Sequence, residues 1–378
     1  MNSETTLVHD LQSDDVMTDE KPEGGTGLCL SGGGYRAMLF HVGSLWRLVE
    51  AGKLKSIDRI SSVSGGSITA GVLALAWDKL ADGDIRTFAT QVVDPLRTLA
   101  GKTIDRWSIL GGVAITGNVG ALVSDAYDKH LFGGRTLQNL PDEPRFIFNA
   151  TNLETGSLFR FSKRHNSDYS IGQIATPNTS IADAVAASSA FPPFLSPFML
   201  EVEPEDFTIR DGDLGDDYRQ ELSLTDGGVY DNLGLQQVWG RCKTVFVSDG
   251  GGRLAPDSTP AGDWGRQLKR ILDIVDHQVR NLRKRQIVGS LESGARDGAY
   301  WGIRTNIDEY QMADALPCPH DATMRIADIP TRLKRLGAAD QERLINWGYA
   351  VTDAALRRYF DQTIRLPVGF PYPDRGIG

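Results

Sequence analysis

The sequence has few cysteines, no long apolar run and no excess of basic residues. Cys29, Cys242 and Cys318 lie far apart and lack the CxxC spacing of zinc and redox motifs, so we expect the buried, reduced thiols of a cytosolic protein. No stretch of about 18 apolar residues occurs, so no segment is expected to span a membrane. The balance of 40 Lys and Arg against 49 Asp and Glu argues against a broad nucleic-acid-binding surface.

The N-terminal segment is rich in acidic side chains and poor in large apolar ones. Residues 1–24 contain seven carboxylates and a single Lys21, which predicts a disordered acidic tail. A signal peptide is not expected, because the segment lacks a basic start and an apolar core. The remaining chain has no internal repeat and no linker rich in Pro or Ser. We therefore predict one domain over residues 25–365 in a cytoplasmic protein.

Strand, glycine turn and helix follow one another twice at the start of this domain. The apolar run Thr26–Ser31 precedes three glycines and a helical pattern, and Ile57–Val63 precedes Ser64-Gly65-Gly66 and a second helical pattern. This alternation predicts an α/β fold with a parallel sheet. Further along, Arg145–Phe161 has the pattern of a hairpin, and Thr244–Ser248 that of a buried strand.

The first glycine turn consists of Gly32, Gly33 and Gly34. Backbone N–H groups in such a run can approach a ligand anion, because no Cβ atom intervenes. The turn matches neither the P-loop, which continues with Gly-Lys-Ser/Thr, nor GxGxxG. An oxyanion hole and a phosphate cradle use the same physics. The turn alone therefore leaves open both an esterase and a non-catalytic protein that binds an anion or nucleotide.

The second glycine turn has the form of a nucleophile elbow. Such an elbow places a serine between a strand and a helix, with small residues two positions before and after it. Ser62 and Gly66 meet this requirement around Ser64, although serine replaces the usual first glycine. The N–H of Gly65, at the start of the following helix, can point at a developing oxyanion. Ser-x-Gly turns are common, so the pattern makes Ser64 a candidate nucleophile and no more.

Two Asp-Gly-Gly turns compete to supply the general base. Asp226 and Asp249 each begin such a turn, and Asp249 also follows an apolar strand, where α/β sites lie. Only His277 and His320 follow Asp226, as a Ser…Asp…His order would require. His277 lies within a predicted helix and His320 in a predicted loop. A dyad is therefore favoured over a triad.

Four blocks in order resemble the patatin-like phospholipase family. They are SGGGYRA at 31–37, SVSGGS at 62–67, ASSAFPPF at 187–194 and DGGVYDN at 226–232. The first block also resembles the matching stretch of cytosolic phospholipase A2 enzymes. The resemblance implies a three-layer α/β/α patatin-like fold and a serine lipid acyl hydrolase that needs no cofactor.

The resemblance also implies roles for single residues. Ser64 would be the nucleophile and Asp226, rather than Asp249, its base. The oxyanion hole would be formed by the glycine loop together with the turn after Ser64, that is by Gly32, Gly33, Gly34 and Gly65. Arg36 would steady a lipid phosphate, with a helix-start salt bridge as the alternative.

The substrates implied by the resemblance are phospholipids at a membrane surface, bound peripherally at the inner membrane. Some compact bacterial relatives are antiviral effectors that a cyclic nucleotide activates, and we extend this expectation to the present chain. A homo-oligomer is left open. The acidic stretch Asp211–Asp217 suggests calcium, but Gly215 and Leu222 occupy positions five and twelve of the EF-hand pattern, so no metal is predicted.

The region beyond about residue 255 matches no family block, and its main feature is a predicted amphipathic helix at Trp264–Leu291. An apolar stripe and a set of Lys and Arg residues share this segment. One interpretation is a helix that packs on the sheet with a solvated basic face. The other is a regulatory or membrane-contact helix that meets a membrane surface or an anionic activator.

Overall fold

The computed structural model describes residues 24–105, 119–210 and 214–378. The predicted acidic tail up to residue 23 lies outside these ranges, as do residues 211–213 of the predicted acidic loop. Within them, helices cover both faces of one central sheet. This arrangement confirms the three-layer α/β fold expected from the alternating strands, glycine turns and helices.

The strands are defined first, because they position the site. In chain order they are β1 Thr26–Leu30, β2 Arg59–Val63, β3 Arg145–Asn152, β4 Leu158–Phe161, β5 His165–Asp168, β6 Gly172–Ala175, β7 Phe198–Glu201, β8 Glu221–Asp226, β9 Thr244–Asp249 and β10 Asp297–Gly302. Strands β10, β9, β1, β2 and β3 are neighbours in that order and run parallel. The sheet continues from β3 through antiparallel β4, β5 and β6, so the predicted hairpin is formed by β3 and β4.

The helices alternate with the strands in the first half of the chain and dominate its end. They are α1 Gly34–Glu50, α2 Gly65–Ala76, α3 Ile85–Phe88, α4 Asp94–Ala100, α5 Val119–Tyr127, α6 Ile181–Ser188, α7 Gly228–Asp231, α8 Gln236–Trp239, α9 Trp264–Glu292, α10 His320–Ala327 and α11 Ala338–Ala355. Among the described residues, no helix is both long and apolar enough to cross a bilayer.

The two faces of the sheet are covered unequally. Helices α1, α2 and α11 form the main core on one face, where Leu28 and Leu30 of β1 are buried. A smaller cluster on the other face joins Cys29 to α8 and to Ile287 near the end of α9. All three cysteines are buried free thiols, as expected. Among the described residues, α8 and the last turns of α9 cover part of this second face.

The predicted helix at Trp264–Leu291 is α9, and only its last turns pack on the sheet. Ile287 and Ser290 are buried, whereas Leu272 and Val275 of the apolar stripe are 57% and 54% exposed. The interpretation of a docked helix with a solvated basic face is therefore wrong for most of its length. Its apolar stripe, and not only its charged side chains, faces away from the protein.

Candidate active site

Ser64 occupies the turn between β2 and α2 and has a strained backbone. Its φ of 51° and ψ of −119° lie in a region that residues with a Cβ atom rarely adopt. The following helix starts in close contact with the first glycine turn. A Cβ atom at Gly65 would lie 2.2 Å from the Gly34 carbonyl oxygen, and one at Gly66 would lie 2.2 Å from that of Leu30. The small residues around Ser64 thus allow two turns to pack together.

A chain of buried hydroxyl groups supports this elbow. The Ser64 N–H donates to Ser188 Oγ over 3.0 Å, and Ser188 Oγ in turn donates to the Asn149 carbonyl over 2.6 Å. Ser67 Oγ lies 2.8 Å from Ser188 Oγ and 3.0 Å from Ser62 Oγ. Ser62, which replaces the usual glycine of the elbow, is therefore a fully buried member of this network. The network offers a physical reason for serine at that position.

Asp226 meets Ser64 because two strands end head to head. On the side of β3 that faces away from β4, Val63 of β2 pairs with Asn149, and Asp226 of β8 pairs with Ala150. The carboxyl ends of β2 and β8 are therefore adjacent. The Ser64 side chain is near enough to the Asp226 carboxyl group to favour its ionised form and lower its pKa. The N–H of Gly228 donates to Asp226 Oδ1 over 2.7 Å and orients this carboxyl group.

Burial raises the pKa of Asp226 well above that of an ordinary aspartate. The side chain is 4% exposed. Desolvation raises the pKa of Asp226 to about 7, although the hydrogen bond from the Gly228 N–H and the nearby Ser64 side chain oppose the shift. A general base works best when its pKa lies near the operating pH, because it is then both ionised and able to hold a proton. Asp226 meets this condition at neutral pH.

The competing Asp249 is held by other partners. Tyr300 Oη donates to Asp249 Oδ2 over 2.7 Å, and the N–H of Gly251 donates to Oδ1 over 2.9 Å. Burial alone would raise the pKa of Asp249, but the hydrogen bond from Tyr300 and the positive charge of Lys284 outweigh it and hold the pKa below its usual range. Asp249 is thus a stable anion that anchors Tyr300. The geometry favours Asp226 as the base of Ser64.

The first glycine turn lies against the elbow, and its three amides have different roles. The Gly32 N–H donates to the Asn232 carbonyl over 3.1 Å, so this amide serves the turn itself. Gly33 and Gly34 have φ values of 142° and 56° and begin α1. The first N–H groups of a helix have no hydrogen-bond partner within the helix. This applies to the amides of Gly33 and Gly34 at the start of α1 and to the amide of Gly65 at the start of α2. The candidate oxyanion donors are therefore narrowed to Gly33, Gly34 and Gly65.

Arg36 is placed where it cannot easily meet a lipid. The residue is 3% exposed, and its guanidinium donates to the carbonyl oxygens of Gly250, Ala327 and Ile329 over distances of 2.7–3.3 Å. These bonds tie the start of α1 to the turn after β9 and to the end of α10. The expected contact with a lipid phosphate does not fit this placement, and neither does the alternative of a surface salt bridge. Arg36 positions the glycine turn.

Two polar residues near the glycine turn were not found from the sequence. His41 is fully buried, with Nε2 at 2.9 Å from the Ser31 carbonyl and Nδ1 at 2.8 Å from Ser248 Oγ. Desolvation lowers the pKa of His41 to about 4, so the imidazole is neutral. Its contacts with Ser31 and Ser248 connect the start of the glycine turn to β9. Asn232 Oδ1 lies 2.4 Å from where a Cβ atom of Gly32 would be. Asn232 could have been suspected, since it ends the fourth family block.

The remaining histidines considered from the sequence lie elsewhere. His277 is on α9 and His320 begins α10, where it is exposed. Among the described residues, neither histidine forms a hydrogen bond with Ser64 or Asp226. The site therefore contains a strained serine, one buried carboxyl group of raised pKa and the amide ends of two helices. This set can perform nucleophilic acyl transfer without a metal ligand cluster.

Comparisons with known proteins identify the family and the fold of this chain. A family model described as patatin-like phospholipase matches residues 28–239, more than half of the chain. No curated protein matches in a sequence comparison. Among solved structures, human GIVD cytosolic phospholipase A2 is 14% identical with a TM-score of 0.50, covering 91% of this chain and 60% of that one.

Two further solved structures are less similar in shape. The human enzyme in complex with methyl gamma-linolenyl fluorophosphonate is 14% identical with a TM-score of 0.48, covering 89% of this chain and 58% of that one. VipD from Legionella pneumophila is 16% identical with a TM-score of 0.36, covering 88% and 66%. At these identities the likeness concerns the fold alone. The present chain spans about 60% of the length of the human enzyme.

Proposed function

Because the chain belongs to the patatin-like phospholipase family, we propose that it is a lipid acyl hydrolase that cleaves fatty-acyl esters of phospholipids. Ser64 and Asp226 form its catalytic dyad. The observation that carries the proposal is that the strained Ser64 elbow lies at the end of β2, next to the end of β8, where a buried carboxyl group has a pKa of about 7. A serine becomes a useful nucleophile only when an adjacent base can accept its proton.

The mechanism has two acyl-transfer steps. Asp226 accepts the proton of Ser64 Oγ as this oxygen attacks the ester carbonyl, and then gives the proton to the departing alcohol oxygen. The amides of Gly33, Gly34 and Gly65 stabilise the negative charge on the tetrahedral intermediate. In the second step Asp226 accepts a proton from water, which attacks the acyl-enzyme. The fatty acid leaves and the Ser64 hydroxyl is restored.

The surface near the site supports peripheral contact with a membrane. Helix α9 packs on α7, which follows Asp226 directly. Its exposed apolar side chains include Trp264, which is 80% exposed, and basic residues flank them. A helix of this composition can lie in the interface of an anionic bilayer with its apolar side chains in the acyl region. Such contact would bring the site to its substrate.

The alternative from the sequence was a non-catalytic protein that binds an anion or nucleotide at the glycine turns. The placement of Asp226 disfavours it. A carboxylate that contacts Ser64, beside the same amides, would repel a bound phosphate whenever it is ionised. A protein that only binds anions also has no use for a strained serine.

Activation by a cyclic nucleotide in bacterial antiviral defence stays a prediction from the family resemblance. So do the cytoplasmic location and a homo-oligomeric state. Each has a direct measurement: hydrolysis with and without added cyclic nucleotides, fractionation of cells, and light scattering of the purified chain.

The proposed function is tested by labelling with a fluorophosphonate probe and by fatty-acid release from phospholipid vesicles. The wild-type protein should be labelled and should release fatty acid, and Ser64→Ala should do neither. Ser56→Ala is the matched control, because Ser56 is exposed and its hydroxyl bonds only to the Lys53 carbonyl in the described structure. Equal labelling of wild type and Ser64→Ala would show that another residue reacts. A wild-type protein that is not labelled would overturn the proposal.

A further inference from the structure

A second set of polar cavities lies on the partly covered face of the sheet, away from Ser64. One cavity of about 70 Å³ is lined mainly by basic and amide side chains, namely Arg59, Arg145, Arg160, His165, Gln237 and Arg241. A neighbouring cavity of about 40 Å³ shares Arg160, Gln237 and Arg241 with it. Arg59 and Arg145 begin β2 and β3, so this arginine cavity is at the opposite strand ends from the elbow.

Strand register brings these arginines together. Arg59 is the parallel partner of Arg145, so their side chains project from the same face. Arg160 of β4 pairs with Asn149, which lies four residues after Arg145 and therefore on that same face. His165 begins β5 beside them, and Gln237 and Arg241 approach from α8 and the turn after it. Five different segments of the chain thus converge on one cavity.

Three arginines of this cavity, Arg59, Arg145 and Arg241, form no ion pair with a carboxylate in the part of the chain that the structure describes. Among the described residues, no carboxylate oxygen lies within 4.0 Å of the guanidinium of Arg59, Arg145 or Arg241. The nearby carboxylates are engaged by other cations, Asp142 by Lys163 and Glu143 by Arg164. Half-buried arginines that repel one another cost free energy, which a bound anion would offset.

The pKa values of Arg59 and His165 are consistent with an excess of positive charge in this cavity. Burial, and then the charges of Arg145 and Arg241, lower the pKa of Arg59 to about 10. Burial, and then the charges of Arg145, Arg160, Arg164 and Arg59, lower the pKa of His165 to about 4, so its imidazole is neutral at pH 7. Arg145 Nη2 lies 3.3 Å from Nδ1 of His165. A neutral imidazole adds a hydrogen-bonding group without adding charge.

We propose that the arginine cavity is a binding site for a phosphate group, held by Arg59, Arg145 and Arg241 with Gln237 and His165 as further hydrogen-bonding partners. One guanidinium group can donate two parallel hydrogen bonds to the oxygens of a phosphate. Several guanidinium groups around one cavity favour an anion that carries more than one charge. The phosphate belongs either to a soluble phosphate ester or to the head group of an anionic lipid. The site is separate from the proposed catalytic centre and does not depend on it.

The test is equilibrium binding of radiolabelled inorganic phosphate to the full chain at low ionic strength. The wild-type protein should bind in a saturable manner, and the variant Arg145→Gln/Arg241→Gln should bind about tenfold more weakly or not at all. The matched control is Lys163→Gln/Arg164→Gln, which removes the same charge from neighbouring residues that are already paired. It should bind within about twofold of wild type if recognition is local. The single variant Arg241→Gln changes an exposed residue, so loss of folding cannot explain a loss of its binding.

Two further arms identify the source of the phosphate. Competition by glycerol 3-phosphate would indicate a soluble phosphate ester, whereas competition only by vesicles that contain phosphatidic acid would indicate a lipid head group. Ser64→Ala should bind labelled phosphate as wild type does, which separates this site from the glycine turns. The proposal is overturned if wild type shows no saturable binding. It is equally overturned if the control variant loses as much affinity as the cavity variants, because the attraction would then be only that of the overall charge.

Discussion

At the level of single residues, the surroundings of Asp226 and Asp249 shift the pKa values of these two side chains in opposite directions. Each ends a strand and precedes two glycines. Asp226 is desolvated, and its raised pKa of about 7 suits a group that takes up and releases a proton. Asp249 lies beside Tyr300 and cationic side chains, and its lowered pKa suits a permanent anion. The same type of side chain is thus suited to proton transfer in one place and to a structural ionic role in the other.

The rate of hydrolysis should follow the ionisation of Asp226. Because the base must be ionised to accept the Ser64 proton, kcat/KM should fall about tenfold per pH unit below about pH 7 and level off above it. The measurement uses a soluble monomeric ester from about pH 5 to pH 9 at constant ionic strength. An apparent pKa near 4, as for an ordinary aspartate, would contradict the assignment of Asp226 as base.

Replacing the two aspartates should separate activity from stability. The folded-state pKa of Asp226 is raised above the unfolded value, so its ionisation destabilises the fold as the pH rises from about 4 to about 7. Asp226→Asn should therefore abolish hydrolysis yet unfold at a temperature equal to or above that of wild type at pH 8.

Asp249→Asn is the matched control for this change. It should keep most of the activity but unfold at a lower temperature, because the anion that binds Tyr300 is lost. Both variants are compared by ester hydrolysis and by thermal unfolding at one pH. If Asp249→Asn is inactive and Asp226→Asn is active, the general base has been assigned to the wrong turn.

At the level of secondary-structure elements, α9 is held at one end and exposed at the other. Arg280 Nη1 donates to the Gly252 carbonyl over 2.8 Å, and Arg283 Nη2 donates to Gln236 Oε1 over 3.2 Å. These two arginines face the protein and attach the helix, so they do not belong to a solvated basic face. The apolar side chains of the earlier turns are left to contact something outside the chain.

Charges placed on the apolar stripe of α9 should reduce activity on membranes only. Ile271→Glu/Val275→Glu should lower fatty-acid release from anionic vesicles by about tenfold or more, because each glutamate both removes apolar contact and repels the surface. Hydrolysis of a soluble monomeric ester should stay within about twofold of wild type, since both side chains are more than half exposed.

The control for this experiment lies on the same helix. Gln267→Glu/Gln278→Glu adds the same charge at two other exposed positions. Vesicle sedimentation reports binding directly. Equal loss of vesicle activity in both double variants would indicate general repulsion rather than contact through the stripe, and no loss in either would mean that the stripe does not meet the membrane.

At the level of the whole molecule, α11 near the end of the chain packs against α1 near its start. The two helices approach so closely that only glycine fits at the crossing. A Cβ atom at Gly43 would lie 2.0 Å from the Ile345 carbonyl oxygen, and one at Gly348 would lie 2.0 Å from that of Phe40. Since α1 begins at the glycine turn, this contact connects the C-terminal region to the candidate active site.

Alanine at the helix crossing should destabilise the whole protein. Gly43→Ala should lower the free energy of unfolding by about 3 kcal/mol or more, because the backbone of α11 has to move. Gly289→Ala is the control, since a Cβ atom there meets nothing within 4 Å, and it should raise stability by about 0.5–1 kcal/mol. Urea unfolding is followed by circular dichroism and by tryptophan fluorescence.

The same unfolding curves test the prediction of one domain over residues 25–365. Coincident transitions by the two probes, shifted together in Gly43→Ala, would support a single cooperative unit. Two separate transitions, with only one shifted, would show that the region beyond about residue 255 folds independently.

The sequence by itself determined the local features of this protein. The elbow around Ser64 and the turn at Gly32–Gly34 are built from a few consecutive residues. Their steric requirements can therefore be recognised from the positions of small side chains in the sequence. The alternation of apolar runs, glycines and helical patterns likewise determined the α/β fold. The resemblance of four short blocks then singled out Asp226, which its local sequence could not separate from Asp249.

Only the tertiary structure decided which distant residues meet. The head-to-head ends of β2 and β8 bring Asp226 to Ser64, and strand register gathers Arg59, Arg145 and Arg241 around one cavity. The sequence pattern of α9 is the same whether its apolar stripe packs on a sheet or is exposed. Burial, pKa and contact depend on packing between segments far apart in the chain, and the periodicity of any one segment contains no information about its neighbours.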